Sequence, residues 1–295
     1  MANVILYQYG EMSSHPKTKE LYNPWDHIWL CLEQLRKWNP SISIYMITGN
    51  HNISQIENFQ KFNVNHILTD DLEKDYDIDK TQYGHTSQES RSWLERNFYI
   101  ENLIKKLNLT DIFSFDNDVL VYEDLEILAQ KCSNTYTGVA LTRESEMNVI
   151  FGMCYIKNYV ALKAVNKDFW YLINTPQGKD LMDMELWNIL SRIRGKEFVD
   201  FLPTWTDSSS FKQFNGIFDP ISIGQYLSGT HWGLQPGVLQ SHHFIHQKLS
   251  EGRWFFSKEI DDNGRKFYSV NEKDSNNKFK IFSIHVHSKK LFDLM

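Results

Sequence analysis

Hydrophobic positions along the chain follow two spacings in turn. Short apolar runs closed by polar or turn residues alternate with stretches in which apolar residues recur at three- and four-residue steps. The first run predicts a strand over 4–9. Helical spacing follows over 25–38, with Trp29, Leu32, Leu35 and Arg36 coming round successive turns until Asn39-Pro40 stops it. A second strand is predicted over 43–48, ending at Gly49, then a short helix over 54–62 and a third strand over 65–68. This strand–helix rhythm is that of an α/β fold, a mostly parallel sheet with covering helices. The acidic stretch 70–77 reads as a solvated connection.

The next helix is the clearest. Thr86 and Glu89 have the spacing of a capping box, and the pattern runs to Leu107 before Asn108. At roughly 100° per residue, Trp93, Ile100, Ile104 and Leu107 share a stripe that should face the sheet. Arg96 and Asn97 flank it, and Arg91 points away. Arg96 is thus placed either to cover core with its stem and meet a carboxylate, or to bind an anion. A strand over 112–115 then leads into Asp116-Asn117-Asp118. Beyond it the pattern predicts strands over 137–141 and 149–156, helices over 159–173 and 181–194, a loop over 207–216, a short helix over 220–227 and a last strand over 280–287. No repeat or linker divides the chain.

Composition narrows the class. Hydrophobic residues make up 41% and charged residues 23%, ordinary for a chain with a packed core. A net charge of −6 gives no global field to attract nucleic acid, so no nucleic-acid partner is expected. No run approaches the roughly 18 apolar residues of a membrane span. The N-terminus lacks a basic leader region, and Cys31, Cys132 and Cys154 match no metal or redox spacing, so a cytoplasmic protein is expected.

The chemistry concentrates at the end of the predicted strand 112–115. Carboxylates as close as Asp116 and Asp118 repel each other unless a cation or donors neutralise them. Mg²⁺ or Mn²⁺ accepts such oxygen ligands and fills its remaining positions with phosphate oxygens and water. The chain has no glycine-rich phosphate loop, so a nucleotide diphosphate would be held through metal. In the last strand Ser283, His285 and His287 alternate with apolar residues. Both histidines should therefore share the face opposite the buried one, either as exposed edge residues or as a source of one metal ligand. Lys289 and Lys290 follow and can offset diphosphate charge.

An N-terminal βαβ half, a central D-x-D and a late His followed by Lys resemble the GT-A fold glycosyltransferases. The resemblance implies a single Rossmann-like domain over 1–295, with a nucleotide-sugar-binding half over 1–122 and a smaller mixed acceptor-side half over 123–295 that ends in the metal-binding strand. It implies that Asp116, Asp118 and either His285 or His287 hold Mn²⁺ or Mg²⁺, while Asn117, Arg96 and Lys289 join them around the donor diphosphate. The activity implied is metal-dependent transfer of a hexose or pentose from a UDP- or GDP-linked sugar to a glycan or lipid-linked saccharide. The family's acidic motif beside the acceptor is matched by Phe218-Asp219, with Phe in place of the usual Glu. Asp219 is then a candidate base, although it also suits an N-cap before Pro220. Asp183 is a second candidate; it and Glu185 point to different helix faces, so at most one enters the site. Gly152, in the stretch resembling the strand that lines the donor sugar, either permits close approach of a ligand to backbone or answers a packing need.

Three other readings compete. A nucleotidyltransferase making sugar nucleotides would share the fold class but calls for a glycine-rich N-terminal loop ending in a basic residue, and Tyr9-Gly10-Glu11-Met12-Ser13-Ser14 is not that loop. A haloacid-dehalogenase-type phosphatase also starts its chemistry from a D-x-D after an apolar strand, but the motif here comes late, with Leu120 in place of the usual Thr or Val. A non-catalytic carbohydrate-binding protein would suit the 14% aromatic content but has little need of clustered carboxylates.

Overall fold

The computed structural model describes residues 1–10, 27–73, 75–77, 81, 83–84, 87–205, 210–238 and 240–295. In chain order the strands are β1 (Asn3–Gln8), β2 (Ser43–Thr48), β3 (Val64–Leu68), β4 (Thr110–Phe115), β5 (Val119–Val121), β6 (Val139–Arg143), β7 (Val149–Asn158), β8 (Val199–Phe201), β9 (Gly216–Phe218), β10 (Trp254–Ile260), β11 (Lys266–Glu272) and β12 (Lys278–His285). The helices are α1 (His27–Trp38), α2 (Ile56–Lys61), α3 (Gln88–Leu107), α4 (Leu125–Thr135), α5 (Tyr159–Ile173), α6 (Asp183–Arg194), α7 (Phe211–Phe214), α8 (Ser222–Ser228) and α9 (Phe244–Ser250).

The main sheet has the order β3-β2-β1-β4-β7-β6-β8. Every neighbouring pair is parallel except those made by β7, which runs against β4 and β6. This is the mostly parallel α/β arrangement expected. The chain first builds outward from β1 and then returns to place β4 on the other side of β1. Their carboxyl ends therefore flank the switch point at which open α/β sheets hold ligands. A second, smaller sheet, β10-β11-β12-β5, carries β9 beside β12. Its β10–β11 hairpin contains the polar Asp261-Asp262 turn.

Central strands are apolar on both sides because both faces of the main sheet are covered. Val4 and Leu6 of β1 face one core with α1, α2, α4 and the second sheet. Ile5 faces the other, with α3, α5 and α6. No helix of the described residues is long and apolar enough to cross a membrane.

Three local expectations change. The N-cap of α3 is Ser87, whose Oγ accepts the Ser90 N–H at 3.1 Å, while Thr86 lies outside the described residues. On α3 the buried surface is wider than one stripe, because α5 packs against its side on the same face of the sheet. Leu94, Ile100, Leu103 and Ile104 are sealed, whereas Leu107, at the last turn, is 40% exposed and Trp93 only half-buried. The expected loop over 207–216 holds α7 and the start of β9, with 207–209 outside the described residues.

Candidate metal and donor site

The Asp116-Asn117-Asp118 segment is the corner where the chain leaves one sheet for the other. β4 ends at Phe115 in the main sheet, and β5 starts at Val119 in the second. β5 pairs antiparallel with the end of β12, His285 opposite Val119, and the Val286 N–H donates to the Asp118 carbonyl at 2.8 Å. That register sets His285 over the two carboxylates. Its Nε2 lies 3.1 Å from Asp118 Oδ1 and 3.7 Å from Asp116 Oδ2. One ligand atom from each of Asp116, Asp118 and His285 falls within 4.8 Å of the others.

Charge surrounds this cluster. The Lys289 ammonium meets Asp118 Oδ2. Lys289 reaches it from a left-handed backbone, φ +62°, that closes the turn after β12 through a 2.8 Å bond from its N–H to the Val286 carbonyl. Arg96, on α3, spans two acids: Nη1 is 2.6 Å from Asp116 Oδ1 and Nη2 is 3.0 Å from Asp183 Oδ2. Its guanidinium carbon sits 4.4 Å from the centre of the Phe151 ring. Burial works against ionisation of Asp118, but the His285 and Lys289 charges overcome it and hold the carboxyl well below its usual range. His27, at the start of α1, adds to the positive field there. Burial lowers the proton affinity of His285, and the Asp118 and Asp116 charges more than restore it, so the imidazole stays protonated above its ordinary range. Asp183 is raised, chiefly because it is buried.

With His285 protonated, Asp116, Asp118 and Asp183 are balanced by Arg96, Lys289 and His285. Once the imidazole loses its proton the group carries net negative charge and presents two carboxylates and one ring nitrogen, a donor set suited to Mn²⁺ or Mg²⁺. The residues therefore fit the metal implied by the sequence. Asp116 is the most open of the three, its side chain 30% exposed against 3% for Asp118.

Several expected residues occupy other roles. His287 does not share a solvent face with His285, because β12 is covered on both sides and ends at His285. The His287 Nδ1 accepts from Gln225 Nε2 at 3.0 Å. Burial and then the His285 charge bring His287 down to about 3, so it is a neutral ring outside the carboxylate cluster. Asn117 ties strand ends together, its Nδ2 donating to the Tyr7 carbonyl at 3.0 Å and to Gln8 Oε1 at 2.5 Å. Gly152 makes room for a side chain and not for a ligand alone: a Cβ there would stand 2.5 Å from His285 Nδ1.

Asp219, expected as a base, is 1% exposed and committed to backbone. Its Oδ1 accepts from the N–H groups of Ile221 at 2.9 Å and Ile223 at 2.8 Å; its Oδ2 accepts from Gly224 at 2.7 Å and His285 at 3.0 Å. The carboxylate thus fastens the start of α8 to the residue that carries the site's imidazole. A free oxygen for an acceptor proton is missing. Of the pair on α6, Asp183 enters the site, whereas Glu185 folds back to accept the Met182 N–H at 2.9 Å.

Comparison with solved structures finds similar outlines at low identity. Mouse xyloside xylosyltransferase 1, in its apo form, is 10% identical with a TM-score of 0.48, over 72% of this chain and 92% of that one. The glycosyltransferase GlyE of Streptococcus pneumoniae is 13% identical with a TM-score of 0.43, over 68% of this chain and 46% of that one. A cytidylyltransferase of Leptospira borgpetersenii is 11% identical with a TM-score of 0.41, over 85% and 94%. No family model and no curated protein sequence matches the chain.

Proposed function

We propose that the chain is a metal-dependent glycosyltransferase that moves a hexose or pentose from a nucleotide-diphosphate sugar, UDP- or GDP-linked, to a hydroxyl of a glycan or lipid-linked saccharide. The observation that carries this reading is the meeting of Asp116, Asp118 and His285 at the switch point of the sheet, with Lys289 and Arg96 against the two carboxylates.

Asp116, Asp118 and His285 would hold Mn²⁺ or Mg²⁺. The bound ion would neutralise charge on the departing nucleoside diphosphate. Lys289, released from Asp118 when that carboxylate turns to the ion, would supply a second positive charge to the same phosphates. Arg96 bridges Asp116 and Asp183 and so fixes their separation beside the cluster. Among the described residues beside the cluster, Asp183 would be the acid to accept a hydrogen bond from a sugar hydroxyl or the acceptor proton, since Asp219 is spoken for.

The test is a panel of nucleotide sugars and phosphate monoesters, each with Mn²⁺, with Mg²⁺ and with chelator. We expect metal-dependent release of one nucleoside diphosphate, accelerated by a saccharide acceptor and absent in Asp118→Ala. Phosphate release from the monoesters alone would replace this reading with a phosphatase.

A further inference from the structure

A second group of ligating side chains stands apart from the first. Glu144 follows β6, and His242 and His243 precede α9; one ligand atom from each lies within 4.8 Å of the others. Glu144 and His243 are sealed, with 7% and 4% of their side chains exposed, and His243 Nε2 is 2.9 Å from Glu144 Oε1. His242 is exposed and packs its ring edgewise on that of His243, 4.3 Å between centres.

The backbone already fixes this geometry. The Phe244 N–H donates to the Glu144 carbonyl at 3.0 Å, and the Glu144 N–H donates to the Asn148 carbonyl at 3.1 Å. Asn148 Nδ2 also donates to Glu144 Oε2 at 3.1 Å. The second carboxylate oxygen is therefore oriented by a neighbour, as outer-shell residues orient metal ligands.

We propose that Glu144, His242 and His243 form a second metal site, selective for Zn²⁺ or a similar transition ion. Two imidazoles and one carboxylate are a softer donor set than the two carboxylates and one imidazole of the first cluster, and they suit zinc better than Mg²⁺. Three ligands at zinc distances in a tetrahedral arrangement stand about 3.4 Å apart. The Glu144–His243 contact of 2.9 Å must therefore open by only a fraction of an ångström. Binding would clamp the loop after β6 to the segment before α9. That segment also reaches the first cluster's surroundings, because Gln240 Nε2 donates to Gln225 Oε1 at 2.6 Å and Gln225 holds His287.

The experiment is a Co²⁺ titration of the full chain carrying Asp118→Asn and His285→Gln, which disable the first cluster. Visible ligand-field absorption reports four-coordinate Co²⁺, and Zn²⁺ is added to displace it. We expect one equivalent of Co²⁺ to bind, to be displaced by Zn²⁺, and to be lost on adding His243→Gln. His242→Ala, at an exposed position, should weaken binding, and Asn148→Ala should weaken it about 10–100-fold. Absence of the Co²⁺ spectrum, or unchanged binding in His242→Ala, would overturn the proposal and leave Glu144 and His243 as a buried hydrogen-bonded pair.

Discussion

Replacing Asp219 by Asn separates a structural carboxylate from a catalytic one. In the native chain two backbone N–H groups point at each oxygen. The amide keeps one oxygen and turns an NH₂ toward the other two donors, which then lie buried without an acceptor. A hydrogen bond to a charged group contributes about 1.5–3 kcal/mol. Part of that loss is offset, because Asn avoids the cost of keeping a charge at a site where burial already raises the Asp219 carboxyl. The balance is about 2–4 kcal/mol of destabilisation. For 295 residues this lowers the melting temperature by about 3–6 °C. Differential scanning calorimetry measures it, and turnover is assayed well below the melt. We expect the folded variant to keep turning over, with weaker Mn²⁺ binding because the His285 backbone has lost its anchor. A base would behave in the opposite way: removing it should lower turnover by about 10²–10⁴ with little change in melting. Unchanged melting with abolished turnover would refute the reasoning.

Gly152→Ala should crowd His285 Nδ1 and cost about 1–3 kcal/mol in overpacking, with a loss of Mn²⁺ affinity measurable by calorimetry although no ligand is removed. Arg96→Met leaves Asp183 buried without its cation and should destabilise the fold by about 3–5 kcal/mol in urea unfolding. Lys289→Met frees Asp118 from its ammonium, so Mn²⁺ alone should bind more tightly and the nucleoside diphosphate less tightly, as read by parallel titrations. The pKa of His285 is raised above 6.5 in the folded protein. Its ion-pair stabilisation in the metal-free state is therefore full below 6.5 and fades as pH rises through the raised value. Mn²⁺ takes the deprotonated ring, so its affinity should rise over that same window and binding should release a proton, detected by calorimetry in buffers of different ionisation enthalpy and absent in His285→Gln.

Much of the framework was legible because central strands and their covering helices follow simple periods. The span of α5 and the order of β1 to β4 could be read from hydrophobic spacing, and Arg96 from its place beside the buried stripe of α3. What the pattern does not carry is contact across the chain. β5 is a short apolar run directly after the D-x-D and looks like the end of β4; only its pairing with β12 shows that the motif turns a corner between sheets. The choice between His285 and His287 depends on where β12 stops and on Gln225, sixty-two residues away. Asp219 has the local sequence of a cap, and its proximity to His285 is a tertiary fact. The Glu144–His243 contact likewise joins residues with no common motif. Gly152 showed that backbone was to be approached closely, but whether by a ligand or by an imidazole is set by strand register.

The most direct test is a Mn²⁺ titration followed by electron paramagnetic resonance, with and without UDP or GDP, in the wild-type chain and in Asp118→Asn. The account predicts that Mn²⁺ binding is tightened by one of the two nucleotides in the wild type and that both the binding and the tightening disappear in the variant. Equal Mn²⁺ binding in the two proteins, or no effect of either nucleotide, would contradict it.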